Sequence, residues 1–173
     1  MIGDGKRFMP STFRIGHGFD AHRFRRGRKL VLGGVEIPHS AGLAGHSDAD
    51  VVLHALINAI LGALGEGDIG VQFPDSDARY KNISSVKLLE EVLALMRRKT
   101  FAIVNGDVTV IAEKPRLAPH YDKIRSRLGK VLGVSTADIN IKAGTMEGMG
   151  ALGAGKGMAA AAVVLLERRR APK

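Results

Sequence analysis

The sequence predicts an α+β fold, with a single mixed β-sheet covered by helices on one face. Strand-type and helix-type segments alternate along the chain, and an opening pair of strand segments joined by a short basic turn implies strands of mixed direction. With 173 residues and 45% hydrophobic composition the chain can bury one core, which suits a single domain. That domain is expected over residues 13–168, after a disordered extension at 1–12 and before a basic tail at 169–173.

Each element has a local signal. Residues 1–12 mix Gly, Pro and Ser without periodicity. Phe13 to Phe24 and Leu30 to Ile37 read as strands joined around Arg26-Gly27-Arg28, with Gly33-Gly34 marking a bulge in the second. The segment from His46 runs into an apolar helix that ends by Gly65. Ser47 is its expected cap, and Asp48 and Asp50 suit the positive end of the helix dipole. Glu66 to Asp77 is a loop with three aspartates and two glycines, the kind of segment that binds ligands. Ser84 or Ser85 opens a second helix, where Val86, Leu88, Leu89, Val92, Leu93, Leu95 and Met96 follow a helical period. Phe101 to Ala112 returns as a strand, Pro119 to Leu132 as a third helix and Ile139 to Ala143 as a strand. After a glycine-rich crossing, Met158 to Leu166 reads as a buried strand.

Composition excludes several functions. There is no cysteine, so disulfides, thiolate catalysis and cysteine-zinc sites are ruled out, and any zinc must be held by histidine and carboxylate. No apolar run approaches the roughly 20 residues that span a bilayer, and the N-terminus lacks a signal-peptide apolar region, so the expected location is the cytoplasm without membrane attachment. The net charge of +9 invites a nucleic-acid reading, but its distribution argues against one. Five positive charges come from Arg23, Arg25, Arg26, Arg28 and Lys29, three from Arg97, Arg98 and Lys99, and three from Arg168, Arg169 and Arg170, more than the whole net value. With no tryptophan and few aromatics, stacking platforms are scarce, and a small anionic substrate is the better use of this field.

The residues that carry chemistry begin with Asp20-Ala21-His22. In an extended segment positions 20 and 22 point the same way, so both can reach one ion. His46, Asp50, His54 and Asn58 then recur every four residues along an otherwise apolar segment. Aspartate oxygen and imidazole nitrogen are ordinary zinc ligands, and three protein ligands leave a fourth position for substrate. Spacing alone fits metal ligation and a set of hydrogen-bonded core polar groups equally well, since buried polar groups need partners in either case.

Four motifs taken together carry a family resemblance. Phe13 to His22 (FRIGHGFDAH), Leu43 to Ala55 (LAGHSDADVVLHA), Gly67-Asp68-Ile69-Gly70 with Phe73-Pro74-Asp75-Ser76-Asp77, and Ile141-Lys142-Ala143 resemble the 2-C-methyl-D-erythritol 2,4-cyclodiphosphate synthase family in order and spacing. The resemblance implies conversion of 4-diphosphocytidyl-2-C-methyl-D-erythritol 2-phosphate into a cyclic diphosphate with release of CMP, in the non-mevalonate isoprenoid pathway. It implies that Asp20, His22 and His54 bind zinc and that Glu147 binds a second divalent ion, Mg2+ or Mn2+. His46 and Thr145 are the implied catalytic residues, with His46 and Ser47 on substrate phosphate. Asp68, Ile69 and Gly70 would hold the methylerythritol, and Phe73, Pro74, Asp75, Ser76 and Asp77 a mobile substrate loop. Ala112, Lys114, Pro115, Arg116, Leu117 and Ala118 would form the cytidine pocket, and Lys142, Ala143 and Gly144 complete the substrate-binding set. A homotrimer is implied, with the sheets facing its three-fold axis and each site shared between neighbours.

This chain departs from the family pattern at Gly144, Ala151, Ala154 and Lys156, where threonine, phenylalanine, arginine and glutamate are usual. Core catalysis should survive these changes, whereas any axial prenyl diphosphate site should be weakened. An open zinc position would also suit a phosphohydrolase, whose product would be linear, and a non-catalytic cytidine nucleotide binder would show no turnover.

Overall fold

The computed structural model describes residues 11–74 and 76–169. Its strands are β1 (Phe13–Arg26), β2 (Leu30–Leu32), β3 (Val35–Ile37), β4 (Ala41–Leu43), β5 (Phe101–Ile111), β6 (Ile139–Gly144) and β7 (Gly157–Arg168). The helices are α1 (Val51–Leu64), α2 (Ile69–Gln72), α3 (Ser85–Arg98), α4 (Tyr121–Leu132) and α5 (Gly150–Gly153). Five strands form one sheet in the order β4-β1-β7-β5-β6, in which only β5 and β6 run parallel. The mixed α+β sheet expected from the sequence is therefore present. Most of the 1–12 extension and the 169–173 tail lie outside the described residues.

The opening hairpin is a different structure from the one expected. β2 and β3 pair with each other in a separate two-stranded sheet, while β1 takes β4 and β7 as partners. Gly33 and Gly34 both have positive φ, 60° and 72°, so they reverse the chain in a two-residue turn where a bulge would only have bent it. Leu30, Leu32, Val35 and Ile37 are all buried by that reversal.

Helix α1 begins at Val51, later than the four-residue spacing from His46 suggests. Its cap is Asp50, whose carboxylate accepts from the N–H groups of Val52 and Leu53 at 3.1 Å each. The same carboxylate accepts from Gly33 at 2.9 Å and Gly34 at 2.7 Å, which joins the helix to the β2–β3 turn. Ser47, the expected cap, accepts instead from Ala49, and His46 sits in the preceding loop. Gly65, with φ 74°, ends the helix in the left-handed conformation that favours glycine. A helix apolar on every side must be buried, and α1 is, between the sheet and α3.

What lets α1 lie this close is the even-numbered face of β1. A Cβ on Gly16 would fall 1.8 Å from the carbonyl oxygen of Ala59, and one on Gly18 would fall 2.0 Å from that of Ala55. Helix backbone rests on strand backbone. The same face continues along the strand to Asp20 and His22, so both point toward the beginning of α1. On the opposite face Phe13, Ile15, Phe19 and Val163 are exposed.

Replacing Gly16 by alanine should therefore cost at least the roughly 1–3 kcal/mol typical of overpacking, read as a lower urea midpoint. Asp50 supplies a pH test. Burial pushes its carboxyl from 3.8 up to about 6, against the opposing pull of the Gly34, Gly33 and Leu53 N–H groups. The folded chain thus holds this proton more tightly than the unfolded chain. The stability it contributes is complete below pH 3.8 and lost as pH rises through about 6. Between pH 3.5 and 7 the wild type should lose about 3 kcal/mol relative to Asp50→Asn, which does not titrate. Parallel pH profiles for the two proteins in urea unfolding would contradict this.

Candidate active site

Asp20 and His22 on β1 meet His54, one turn into α1. The Asp20 Oδ2 atom lies 2.9 Å from His22 Nε2 and 2.9 Å from His54 Nδ1, and the two nitrogens are 3.2 Å apart. Ligand bonds of about 2.0–2.1 Å in tetrahedral geometry place donors about 3.3 Å apart, so these spacings are close to those of three zinc ligands. One carboxylate and two imidazoles also match zinc in ligand chemistry. Among the described residues this is the group of three or more such side chains whose donor atoms converge, all within 4.8 Å.

The electrostatics follow from the same contacts. Burial, the largest single influence on Asp20, pushes its carboxyl up, but its close contacts with the His22 and His54 rings outweigh it and hold the group well below 3.8. For His22, burial pushes down, while the Asp20 contact and then a hydrogen bond to the Ala44 backbone carry the ring above 6.5. The triad is a cluster in which negative oxygen and basic nitrogen are matched.

A cavity of about 470 Å³ opens beside the triad. Of the residues singled out from sequence, it brings together Asp20, His22, His46, Ser47, His54, Ile69, Gly70, Phe73 and Pro74. Their positions have local causes. The Ala49 backbone at φ 58° turns the 46–48 loop over the triad, and Arg28 donates to the carbonyls of Gly45, at 2.9 Å, and Ser47. The basic turn expected to attract an anion therefore lies against the loop that walls the cavity. The expected 66–77 loop contains the short helix α2, capped by Asp68, which accepts from Val71 at 2.9 Å.

Other expected residues lie elsewhere. Asp68 caps α2 and is outside the cavity lining, and Asp77 caps the turn at 78–80 and pairs with Arg79. Asp75 lies outside the described residues. The 112–118 segment and the 144–147 segment form a second cluster, where Ala112 donates to Gly144 at 3.0 Å and Met146 to the Glu113 carboxylate at 2.9 Å. There the Thr145 hydroxyl donates to Glu147, while Lys142 pairs with Asp107 on the sheet surface. β1, β5 and β6 all finish at the same end of the sheet, yet β7 separates the triad from this cluster, and none of the cavity's lining comes from it. Ala151, Leu152 and Lys156 line another cavity, of about 530 Å³, with Ala21 and Arg23.

Sequence reading missed Tyr80 and Leu88 in the cavity wall, and Ser85 behind His54. Tyr80 sets its ring edge-on to Phe73 with centroids 5.2 Å apart. Ser85 showed itself only as a helix start, and its contact with His54 joins residues 31 apart.

Comparison with known proteins agrees with this geometry. A relative from Syntrophomonas wolfei, named 2-C-methyl-D-erythritol 2,4-cyclodiphosphate synthase, is 52% identical over 155 residues, covering 90% of this chain and 99% of its own. Among solved structures, a Plasmodium falciparum IspF in complex with CDP superposes with a TM-score of 0.80 at 32% identity, over 91% of this chain and 97% of its own. A bifunctional protein from Campylobacter jejuni matches with a TM-score of 0.87 at 39% identity, over 91% of this chain but only 42% of that longer one. The YgbB family model covers residues 13–167, and by that match and these identities the chain belongs to the YgbB family.

Proposed function

We propose that the chain is a cyclodiphosphate synthase that converts 4-diphosphocytidyl-2-C-methyl-D-erythritol 2-phosphate into 2-C-methyl-D-erythritol 2,4-cyclodiphosphate and CMP. The observation that carries this reading is the convergence of Asp20, His22 and His54 on a cavity walled by the other family motifs, His46-Ser47 and Ile69 to Pro74. In the reaction an oxygen of the 2-phosphate bonds to the β-phosphorus, and the bond from that phosphorus to the CMP oxygen breaks, its electron pair leaving with CMP. No protein nucleophile is needed.

Asp20, His22 and His54 would hold Zn2+, and Glu147 a Mg2+ or Mn2+ ion. Bound there, the cations supply charge neutralisation for two phosphoryl groups that otherwise repel. The residues' own work is orientation. Holding both reacting groups in line can replace much of the entropic barrier, with effective molarities of about 10⁵ M or more known for such intramolecular reactions. His46 and Thr145 are assigned to the phosphorus that gains charge, and Ser47 and Lys142 to phosphate. Asp68, Ile69 and Gly70 are assigned to the methylerythritol, the 73–77 segment to a substrate loop, 112–118 to cytidine, and Ala143 and Gly144 to the remaining substrate contacts. The basic turn at 25–29 raises the local concentration of this anionic substrate.

A homotrimer with shared sites fits two features of the chain. The triad and the cytidine segment lie on opposite sides of β7, so one chain presents two half-sites. The uncovered sheet face also exposes Ile15 at 72%, Phe19 at 53% and Phe13 at 49%, an apolar surface suited to a subunit contact. The altered residues Ala151, Ala154 and Lys156 lack the guanidinium fork that grips phosphate, which argues for weak prenyl diphosphate binding.

The test is turnover with product analysis. The wild type should give the cyclic diphosphate with CMP, whereas a linear phosphate would identify a hydrolase, and no turnover a binding protein. His54→Ala should abolish the activity and the bound zinc, and full zinc content in that variant would overturn the ligand assignment. Mixing inactive His22→Ala chains with inactive Arg116→Ala chains should recover part of the activity, because some interfaces pair two intact halves. Mixed trimers that recover nothing, or an active monomer in sedimentation, would overturn the shared site.

A further inference from the structure

We propose that Ser85 and Asp48 are positioning residues for the metal centre, together fixing His54 in the tautomer whose Nδ1 lone pair faces Asp20 and His22. This rests on the metal reading of the triad given above. It follows from counting hydrogens through a chain of contacts that is buried from Ser85 to His54.

An ionised carboxylate only accepts, and Asp48 accepts from Ser85 twice. The Ser85 N–H lies 3.1 Å from each carboxylate oxygen, and the Ser85 hydroxyl donates to the Oδ1 atom. A serine has one hydroxyl hydrogen, so the Ser85 Oγ atom has only lone pairs left for its other neighbours. One of these is His54 Nε2, at 2.9 Å, which must therefore bring the proton. The second serine agrees. Ser47 Oγ accepts the Ala49 N–H at 3.1 Å and sits 3.3 Å from Ser85 Oγ, toward which its own hydrogen can point, while it lies 3.1 Å from the same His54 Nε2. Every contact on the serine side of the ring then pairs a donor with an acceptor when the His54 Nε2–H lies between the two serine oxygens. The opposite tautomer sets Nε2 and Ser85 Oγ lone pair to lone pair at 2.9 Å.

The consequence reaches the other side of the ring. With its proton on Nε2, neutral His54 presents a bare Nδ1 atom 2.9 Å from Asp20 Oδ2 and 3.2 Å from His22 Nε2. That arrangement is repulsive by itself and favourable around a cation, so Asp48, three groups removed, prepares the triad for metal. The relay is also protected from water, since Ser85 is fully buried and both Ser47 and His54 are buried. Asp48 is held on its own side by its N–H bond to the Ile83 carbonyl at 3.1 Å.

The test uses the full-length chain. Zinc affinity, measured by competition with a chromophoric chelator, should fall about 10–100-fold in Ser85→Ala and in Asp48→Asn. Ser85→Thr, which keeps the hydroxyl, should restore most of it. Nitrogen-15 NMR of the metal-stripped wild type should show His54 protonated on Nε2. Asp48→Asn should populate the Nδ1–H form, because an amide can donate to Ser85 and release the serine hydrogen toward the ring. Wild-type affinity in Ser85→Ala, or an Nδ1–H tautomer in the wild type, would overturn the relay. If Ser85→Ala fails to fold by circular dichroism, the wild-type tautomer decides. A wild type that holds no zinc at all takes down the metal reading itself, a result distinct from failure of the relay.

Discussion

Backbone contact between α1 and β1 is the constraint on which the rest depends. Helices usually stand off a sheet by the length of two side chains, but here Gly16 and Gly18 bring helix carbonyls into the space that a Cβ would fill. The small stripe continues in the neighbouring strand, where Ala160 and Ala162 are fully buried. A helix seated this low has little freedom to slide, because its carbonyls fit only above the glycines. His54 then faces the point where the strand changes from glycine to Asp20 and His22. The large side chains that supply hydrophobic stabilisation, Leu53, Leu56, Ile57, Ile60 and Leu61, are all fully buried on α1.

Close packing alone would still allow the helix to rotate, and buried polar groups remove that freedom. The Asp50 carboxylate ties the first turn of α1 to Gly33 and Gly34 in the β2–β3 turn, and Asp48 ties the preceding loop to the first residue of α3. Two aspartates separated by a single residue thus fasten the start of α1 to two different elements. Each carries a desolvation cost that only full hydrogen bonding can offset, so a shifted helix would leave several buried donors unpaired. The candidate metal ligands are held by backbone sterics on one side and by satisfied polar groups on the other.

Legibility in the sequence follows from the same physics. Asp20 and His22 were readable as a pair because strand periodicity is a local property, and His54 because it belongs to a polar stripe that recurs every four residues along an otherwise apolar segment. The start of α1 was not. Ser47 and Asp50 are both good caps by type, and the decision for Asp50 comes from Gly33 and Gly34, which lie 17 and 16 residues away and add two donors to its carboxylate. Gly33-Gly34 reads equally well as a bulge or a reversal, and only the burial of Leu30, Leu32, Val35 and Ile37 decides between them. Ser85 was hidden for the same reason, since its part in the site exists only through contacts with residues more than 30 positions earlier. The single-chain position of the Ala112 to Ala118 segment, across β7 from the triad, likewise depends on strand order, which local pattern does not encode.

That strand order links the two faces of the sheet. The inner face of β1 carries the candidate metal ligands, so its outer face must carry Phe13, Ile15, His17 and Phe19 in alternation. In the proposed trimer the outer face is covered by neighbouring subunits, which at the same time bring a second chain's cytidine segment to the triad. Covering the apolar face and completing the site would then be one event. A substrate with cytidine at one end and a phosphorylated methylerythritol at the other needs its two grips at a fixed separation, and in the proposed trimer the sheets that carry them would set that separation. The exposed residues of β1 are on this view part of the machinery, since the same strand that holds the metal ligands also recruits the chain that supplies the rest of the site.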